Sequence, residues 1–260
     1  MVSFISAHSD GATTLAAALA VLWSARERTL LIDLNLDRPD ISTLLDVGEA
    51  KTMYHLAFNA QLSPVSAGDL EEHLSWREGL AVLPGIARDS QREAITEHFI
   101  AGLLDQALDL FDRVVVDLGR VRADLPRSTC EGSLVWVVCP GPYGLTAVER
   151  ASAELRDASA TWTRDTSVVL NRCGSKDFVG VDRFLPHEYG LNVTAQVADL
   201  PGYVRTVELS HSLRALSVPV QTERGFTRRY GPEALTMRRA IEGVASAVPQ
   251  TASLEVAHGS

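Results

Sequence analysis

Gly11, Thr13 and Thr14 are the residues at the front of the chain whose types and spacing suit a charged ligand. They belong to the run Ser6-Ala7-His8-Ser9-Asp10-Gly11-Ala12-Thr13-Thr14, which leads straight into a stretch rich in Ala and Leu. A helix that starts there offers backbone N–H groups and the positive end of its dipole, and both favour an anion such as phosphate. The Thr13 hydroxyl in its first turn is placed to reach Mg²⁺. Two carboxylates complete the set. Asp33 ends the apolar run Leu30-Leu31-Ile32, and Asp117 ends Val114-Val115-Val116. A carboxylate at the end of a buried strand can hold Mg²⁺ or its waters, or orient an attacking water. Asn171 and Arg172 end a third apolar run, Ser167-Val168-Val169-Leu170.

These groups act together only if one framework brings them to one edge. Val2-Ser3-Phe4-Ile5 reads as a strand, Leu15 to Ala25 as a helix with Leu15, Leu19, Leu22 and Trp23 on one face, and Leu30 to Asp33 as a second strand. That is a βαβ unit with its loop at the carboxyl end of the first strand, the edge where open parallel sheets bind ligands. The loop nearly fits the phosphate-binding pattern G-x-x-x-x-G-K-[ST]. Ser6 stands at the first Gly, Gly11 matches the second, Ala12 replaces the Lys and Thr13 matches the hydroxyl residue. The cation that neutralises the β- and γ-phosphates is missing. Lysine is scarce throughout, with Lys51 and Lys176 alone, so no neighbour replaces Ala12 by a small change of register. Arg38 and Arg120 are the cations that other loops could supply.

The rest of the chain continues the alternation. Short helices are expected over Ile41–Val47, Thr52–Asn59 and Ala67–Leu74. A strand and turn follow over Gly79–Gly85, and a long amphipathic helix over Arg88–Phe111 with Ile95, Phe99, Leu103, Leu104, Ala107, Leu108 and Phe111 at helical spacing. Later strands are expected at Leu134–Cys139, Ser167–Arg172 and Asn192–Val197. Later helices are expected at Leu145–Ala158, Val179–Tyr189, Val204–Leu216 and Gly231–Ala247. No linker, repeat or low-complexity tract interrupts them. The expectation is one α/β domain over residues 1–248, a doubly wound, mostly parallel sheet with helices on both faces, and a disordered tail over 249–260.

Composition fits a soluble globular chain: 260 residues, 46% hydrophobic and 22% charged. The net charge of −9 argues against a general nucleic-acid coat. Cys130, Cys139 and Cys173 lack C-x-x-C spacing and are odd in number, which suggests reduced thiols and a cytoplasmic protein. The start lacks the basic segment of a signal peptide, and no apolar run approaches a membrane span.

Several pieces in this order resemble the MinD/ParA group of P-loop ATPases (the SIMIBI class). Ser6–Thr14 sits where that family has K-G-G-V-G-K-T-T after a Gly. Leu30-Leu31-Ile32-Asp33-Leu34-Asn35-Leu36-Asp37-Arg38-Pro39 resembles its second motif, L-L-I-D-x-D-x-x-x-P. Asp117 fits the third, and Asn171-Arg172 fits the N-[KR] pair whose Asn contacts adenine. Asp199-Leu200-Pro201 resembles the segment beside the base. The resemblance covers residues 2–245. Gly11-Ala12-Thr13-Thr14-Leu15-Ala16 is similar to the G-A-[ST]-T-L-A of TadZ/CpaE-like pilus-assembly proteins, which localise a pilus or secretion machine and often carry a receiver-like domain, one that is not expected within these 260 residues. The chain departs further than they do. Ala7 stands at the signature Lys that crosses a dimer interface in relatives, His8 and Ser9 replace two glycines, and Asn35 replaces the second Asp of the second motif.

The resemblance implies a homodimer with ATP and Mg²⁺ as ligands. Asp10, Gly11, Ala12, Thr13, Thr14, Asn171, Arg172 and Pro201 would contact the nucleotide, Thr13 and Asp117 the metal, and Asp33 and Asp117 would stand in the catalytic positions. With both lysines gone, hydrolysis is expected to be slight. The implied role is a spatial organiser or assembly factor with protein partners in a pilus or secretion system. The alternatives are a partition ATPase cycling on DNA and a nucleotide-free scaffold. Plainer readings compete at each residue: Thr as a helix cap, Asp33 as a solvent-facing strand end, Asn171 as a turn former, and His8 as a solvated loop residue. Arg224, Arg228, Arg229, Arg238 and Arg239 could form a DNA-binding patch, but a solvated helix face is favoured.

Overall fold

Strand β1 (Val2–Ser6) is buried along its whole length, because neighbours on both sides and helices on both faces cover it. It pairs in parallel with β5 (Arg113–Arg120) and β6 (Ser133–Val138). β2 (Thr29–Asp33) lies between β5 and β4 (Leu80–Leu83), again in parallel. β7 (Thr166–Cys173) and β8 (Asn192–Ala198) extend the other side. A short strand, β3 (Ser75–Arg77), runs antiparallel along β4 and gives the order β3-β4-β2-β5-β1-β6-β7-β8. This computed structural model describes residues 1–8, 10–121, 127–130, 132–139, 146, 149–150, 153, 166–173, 181–189, 192–198, 213, 215–230 and 232–248. It is a single eight-stranded, mostly parallel sheet, as the alternation of apolar runs predicts. Unbroken runs such as Val114-Val115-Val116 suit parallel strands covered on both faces.

Successive side chains of a strand point to opposite faces, and each face has its own core. Phe4, Leu31 and Val115 pack under α1 (Ala12–Ser24) and the terminal helix, here α8 (Pro232–Ala247). Ala16, Ala17, Ala18 and Ala20 let α1 approach the sheet closely and are fully buried. On the other face, Ile5, Ile32 and Val116 pack with Met53 of α3 (Met53–Asn59), Leu70 of α4 (Ala67–His73) and Phe99 and Leu103 of α5 (Glu97–Leu110). A short helix α2 (Ile41–Leu45) follows the loop after β2, and α6 (Val181–Tyr189) precedes β8.

Three expectations change. The long helix over Arg88–Phe111 is two pieces: a 3-10 segment over Asp89–Ala94 and then α5. Thr96 is the reason, since its hydroxyl accepts the Phe99 N–H at 3.2 Å and starts a new helix. Leu108, assigned above to the apolar stripe, is 48% exposed. The antiparallel β3 and a helix over Glu223–Tyr230, α7, have no counterpart in the sequence reading. Most of the helices expected at Leu145–Ala158 and Val204–Leu216, and the tail 249–260, lie outside the described residues.

Candidate functional site

The loop after β1 is shaped by its own side chains. The Ser6 hydroxyl is buried and donates to the His8 carbonyl, folding the loop back on itself. Gly11 takes a left-handed backbone, φ 93°, and is the N-cap of α1. A Cβ there would overlap the Asn171 amide, so glycine is required twice, by conformation and by space. The helix proper starts with the Leu15 N–H donating to the Gly11 carbonyl at 3.0 Å. The N–H groups before it have no acceptor within the helix. Thr13 is therefore not the cap. It stands in the first turn with its hydroxyl turned toward Asp117.

Asp33 and Asp117 are register partners on neighbouring strands, and both are fully buried. A solvent-facing strand end is thus excluded for Asp33. Its two oxygens accept the Asn35 N–H at 3.2 Å and the Ile41 N–H at 3.1 Å, which pins the loop after β2 across the strand end. Asp117 is less completely served. Oδ1 accepts the Gly119 N–H at 3.1 Å, while Oδ2 has no hydrogen-bond partner of normal geometry among the described residues. Burial pushes the Asp33 carboxyl well above the usual range, and the neighbouring Asp117 pushes it further. Burial raises Asp117 to about 6, against the lowering effect of the Thr13 hydroxyl and the Gly119 N–H.

Behind the loop, Asn171 is a clamp. Its Nδ2 donates to the Asp10 carbonyl at 2.6 Å, and its Oδ1 accepts the Arg172 N–H at 2.9 Å. Arg172 is held with φ 55°, a left-handed conformation that is uncommon without glycine and recurs at functional sites. The buried Asp10 carboxyl is raised by desolvation, and the backbone N–H groups of Cys139 and His8 partly offset this.

Above the carboxylates lies a cleft of about 420 Å³ whose walls include Gly11, Ala12, Thr13, Thr14 and Arg172. Asp10 and Asn171 stand behind the loop, Asp33 and Asp117 lie beneath, and Pro201 falls outside the described residues. Sequence reasoning missed the fit between Gly119 and Asn35. Gly119 has φ 67°, and any Cβ on it would overlap the Asn35 side chain. A glycine two residues after the Asp that closes the apolar run Val114-Val115-Val116 was the available signal. Among the described residues no group of three or more His, Cys, Asp or Glu side chains could hold a metal alone. Mg²⁺ ordinarily takes one or two protein oxygens and completes its shell with water and phosphate. The orphaned Oδ2 beside the Thr13 hydroxyl fits that need.

Comparison with protein-family models finds no match, and comparison with curated proteins finds none either. Solved structures do match. A ParA family ATPase from Chlorobium tepidum TLS superposes with a TM-score of 0.73 at 18% identity, over 95% of this chain and 96% of that one. The septum site-determining protein MinD from Pyrococcus horikoshii OT3, complexed with Mg-ADP, gives 0.62 at 19% identity, covering 94% and 95%. A chain of the MinC:MinD cell division protein complex from Aquifex aeolicus gives 0.65 at 15% identity, covering 93% and 96%. The chain has the MinD/ParA P-loop fold over nearly its full length. Among the described residues no helix is long and apolar enough to cross a membrane.

Proposed function

We propose that this chain is a nucleotide-responsive organiser of MinD/ParA type that binds Mg²⁺-ATP as a structural ligand and hydrolyses it little or not at all. The observation that carries this reading is Asp117 Oδ2, a buried carboxylate oxygen that faces the Thr13 hydroxyl at the start of α1 and has no hydrogen-bond partner of normal geometry among the described residues. Thr13 and Asp117 would hold Mg²⁺, which would draw the phosphates against the first turn of α1. Gly11 to Thr14 would cradle them, and Arg172 and the segment containing Pro201 would flank the nucleotide. Asp33 is committed to backbone N–H groups of the loop after β2, so its role is to hold that loop in register with Asp117. With Ala7 and Ala12 at the two lysine positions, charge neutralisation in the transition state is weak, and such sites work by that means.

The run Gly11-Ala12-Thr13-Thr14-Leu15-Ala16 favours the TadZ/CpaE-like role, a homodimer whose nucleotide-dependent surface places a pilus or secretion machine through protein partners. Exposed Arg224, Arg228 and Arg229 on α7 favour the second reading, a partition ATPase cycling on DNA. Calorimetric titration with Mg²⁺-ATP, a phosphate-release assay and DNA binding across a salt series separate them. Saturable binding with negligible turnover and no salt-sensitive DNA binding is the expected outcome. Brisk turnover with DNA binding favours partition, and no nucleotide binding at all leaves a protein scaffold.

A further inference from the structure

We propose that Arg38, Arg120 and Arg172, from three separate strand ends, form the polyphosphate-binding subsite of this cleft in place of the absent lysines. All three are among its lining residues. Arg38 lies in the loop after β2, Arg120 is the last residue of β5 and Arg172 lies near the end of β7, whereas a P-loop lysine reaches its phosphates from the start of the helix. The inference rests on the nucleotide reading above and deepens it by assigning the source of positive charge.

Each guanidinium is carried on backbone that the site already fixes. The Arg172 N–H is tied to Asn171, whose amide also holds the Asp10 carbonyl, so its left-handed backbone is set relative to the loop after β1. Arg120 follows Gly119, whose N–H holds Asp117 and whose bare Cα accommodates Asn35. The Arg38 N–H donates to Asn35 Oδ1 at 3.2 Å, and Asn35 in turn donates to Asp33. The contacts that seat the two carboxylates therefore also place Arg38 and Arg120, while the clamp on the loop after β1 places Arg172. Arg38 is paired with Asp40 at 2.9 Å, with the two side chains 79% and 50% exposed. Such a pair is weak in water and gives way readily to a better anion. The cleft needs these charges, because Asp37 and Asp40 also line it and Asp33 and Asp117 lie below. An unassisted polyphosphate would be repelled. Arginine also suits the task chemically, since its fork binds phosphate oxygens two at a time and stays protonated at any working pH. Oδ2 of Asp117, which has no hydrogen-bond partner among the described residues, is the independent sign of a ligand, pointing to a cation that travels with the anion.

The test uses the full chain, with inorganic tripolyphosphate and ATP, each with Mg²⁺, as calorimetric probes. The variants are Arg120→Gln, Arg172→Asn (Asn tolerates the left-handed backbone) and the pair together. Arg224→Gln, on α7 away from the cleft, is the control. The expected result is a loss of affinity for both probes of about 10- to 100-fold per arginine, a shallower dependence on salt, and no change in Arg224→Gln. Unchanged thermal unfolding without ligand shows that the variants fold. ATP binding that survives both substitutions at full strength overturns the arginine subsite while leaving the nucleotide reading intact. Arginine-dependent binding of tripolyphosphate without any binding of ATP does the reverse. Failure of the intact chain to bind either probe overturns both.

Discussion

Asp33, at the end of β2, and Asp117, within β5, are in direct register on adjacent parallel strands, yet among the described residues Asp33 has both carboxylate oxygens hydrogen-bonded and Asp117 has only Oδ1 so served. Neighbouring buried carboxylates are costly in their charged form. The pair is tolerable at neutral pH only if something offsets that charge. Protonation is one way, and a divalent cation on the unpartnered Oδ2 is the other.

The pH dependence of stability follows from this. A carboxyl whose pKa is raised on folding binds a proton more tightly in the folded state, so its stabilising effect is complete at low pH and lost as pH rises. For Asp117 the loss runs from the unfolded value of 3.8 to about 6. Without ligand, the contribution of Asp117 should therefore fall between about pH 4 and pH 6 and stay low at pH 7.5. Asp117→Asn should remove the fall and raise the melting temperature at pH 7.5 by a few degrees, on the order of 1–2 kcal/mol. Calorimetric melting across pH, with and without Mg²⁺-ATP, checks this. A wild-type profile that does not change over that interval contradicts the assignment.

Thr13 and Thr14 are adjacent hydroxyl residues with different surroundings. The Thr13 hydroxyl faces Asp117, where Mg²⁺ would sit. Thr13→Ala should weaken Mg²⁺-ATP binding by at least tenfold and have a small effect on binding measured with excess EDTA. The difference between the two titrations is the measurement that matters. An equal loss with and without Mg²⁺ would place the hydroxyl on phosphate instead.

Gly11 and Asn171 form an interlocked pair. Gly11→Ala adds a Cβ where the Asn171 amide lies and forces alanine to φ 93°. We expect about 2–3 kcal/mol of destabilisation together with loss of anion binding. Gly11→Ala combined with Asn171→Ala should recover the steric part and leave the conformational part. In a double-mutant cycle the pair should couple by more than about 0.5 kcal/mol.

Much of this site was legible in the chain because its landmarks are local. Apolar runs leading into Asp33, Asp117 and Asn171 mark the strands, although β5 runs on to Arg120 and β7 to Cys173, and a Gly followed by two Thr before an Ala/Leu stretch marks a helix start. What those residues do was less legible, because it depends on contacts far apart in sequence. Asn171 and Asp10 are separated by 161 positions, yet one hydrogen bond between them fixes the loop. The seating of Asn35 against Gly119 has the same character. The break in the helix expected over Arg88–Phe111 was missed for a different reason. Hydrophobic periodicity runs through Thr96 uninterrupted, and only the capping bond to Phe99 reveals the new start.

Arg238 shows how a charge count misleads when burial is unknown. In the sequence it belongs to a basic group near the end of the chain, but the structure leaves its side chain only 8% exposed. Its Nη1 donates to the carbonyls of Leu216 at 2.9 Å and Val218 at 2.7 Å, its Nε pairs with Glu242, and its guanidinium lies over Phe226. It joins α7, α8 and the end of the preceding helical segment, so it cannot serve a DNA-binding face. Arg238→Leu keeps the apolar contact but strands buried carbonyls and leaves Glu242 without its partner, at a cost of about 3 kcal/mol. For a chain of this length that lowers the melting temperature by about 6–12 °C. Arg239, 61% exposed and paired with Glu223 at the surface, should change it by less than about 2 °C as Arg239→Ala. Differential scanning calorimetry on the two variants decides the matter, and equal melting temperatures would show that the buried contacts of Arg238 contribute nothing to stability.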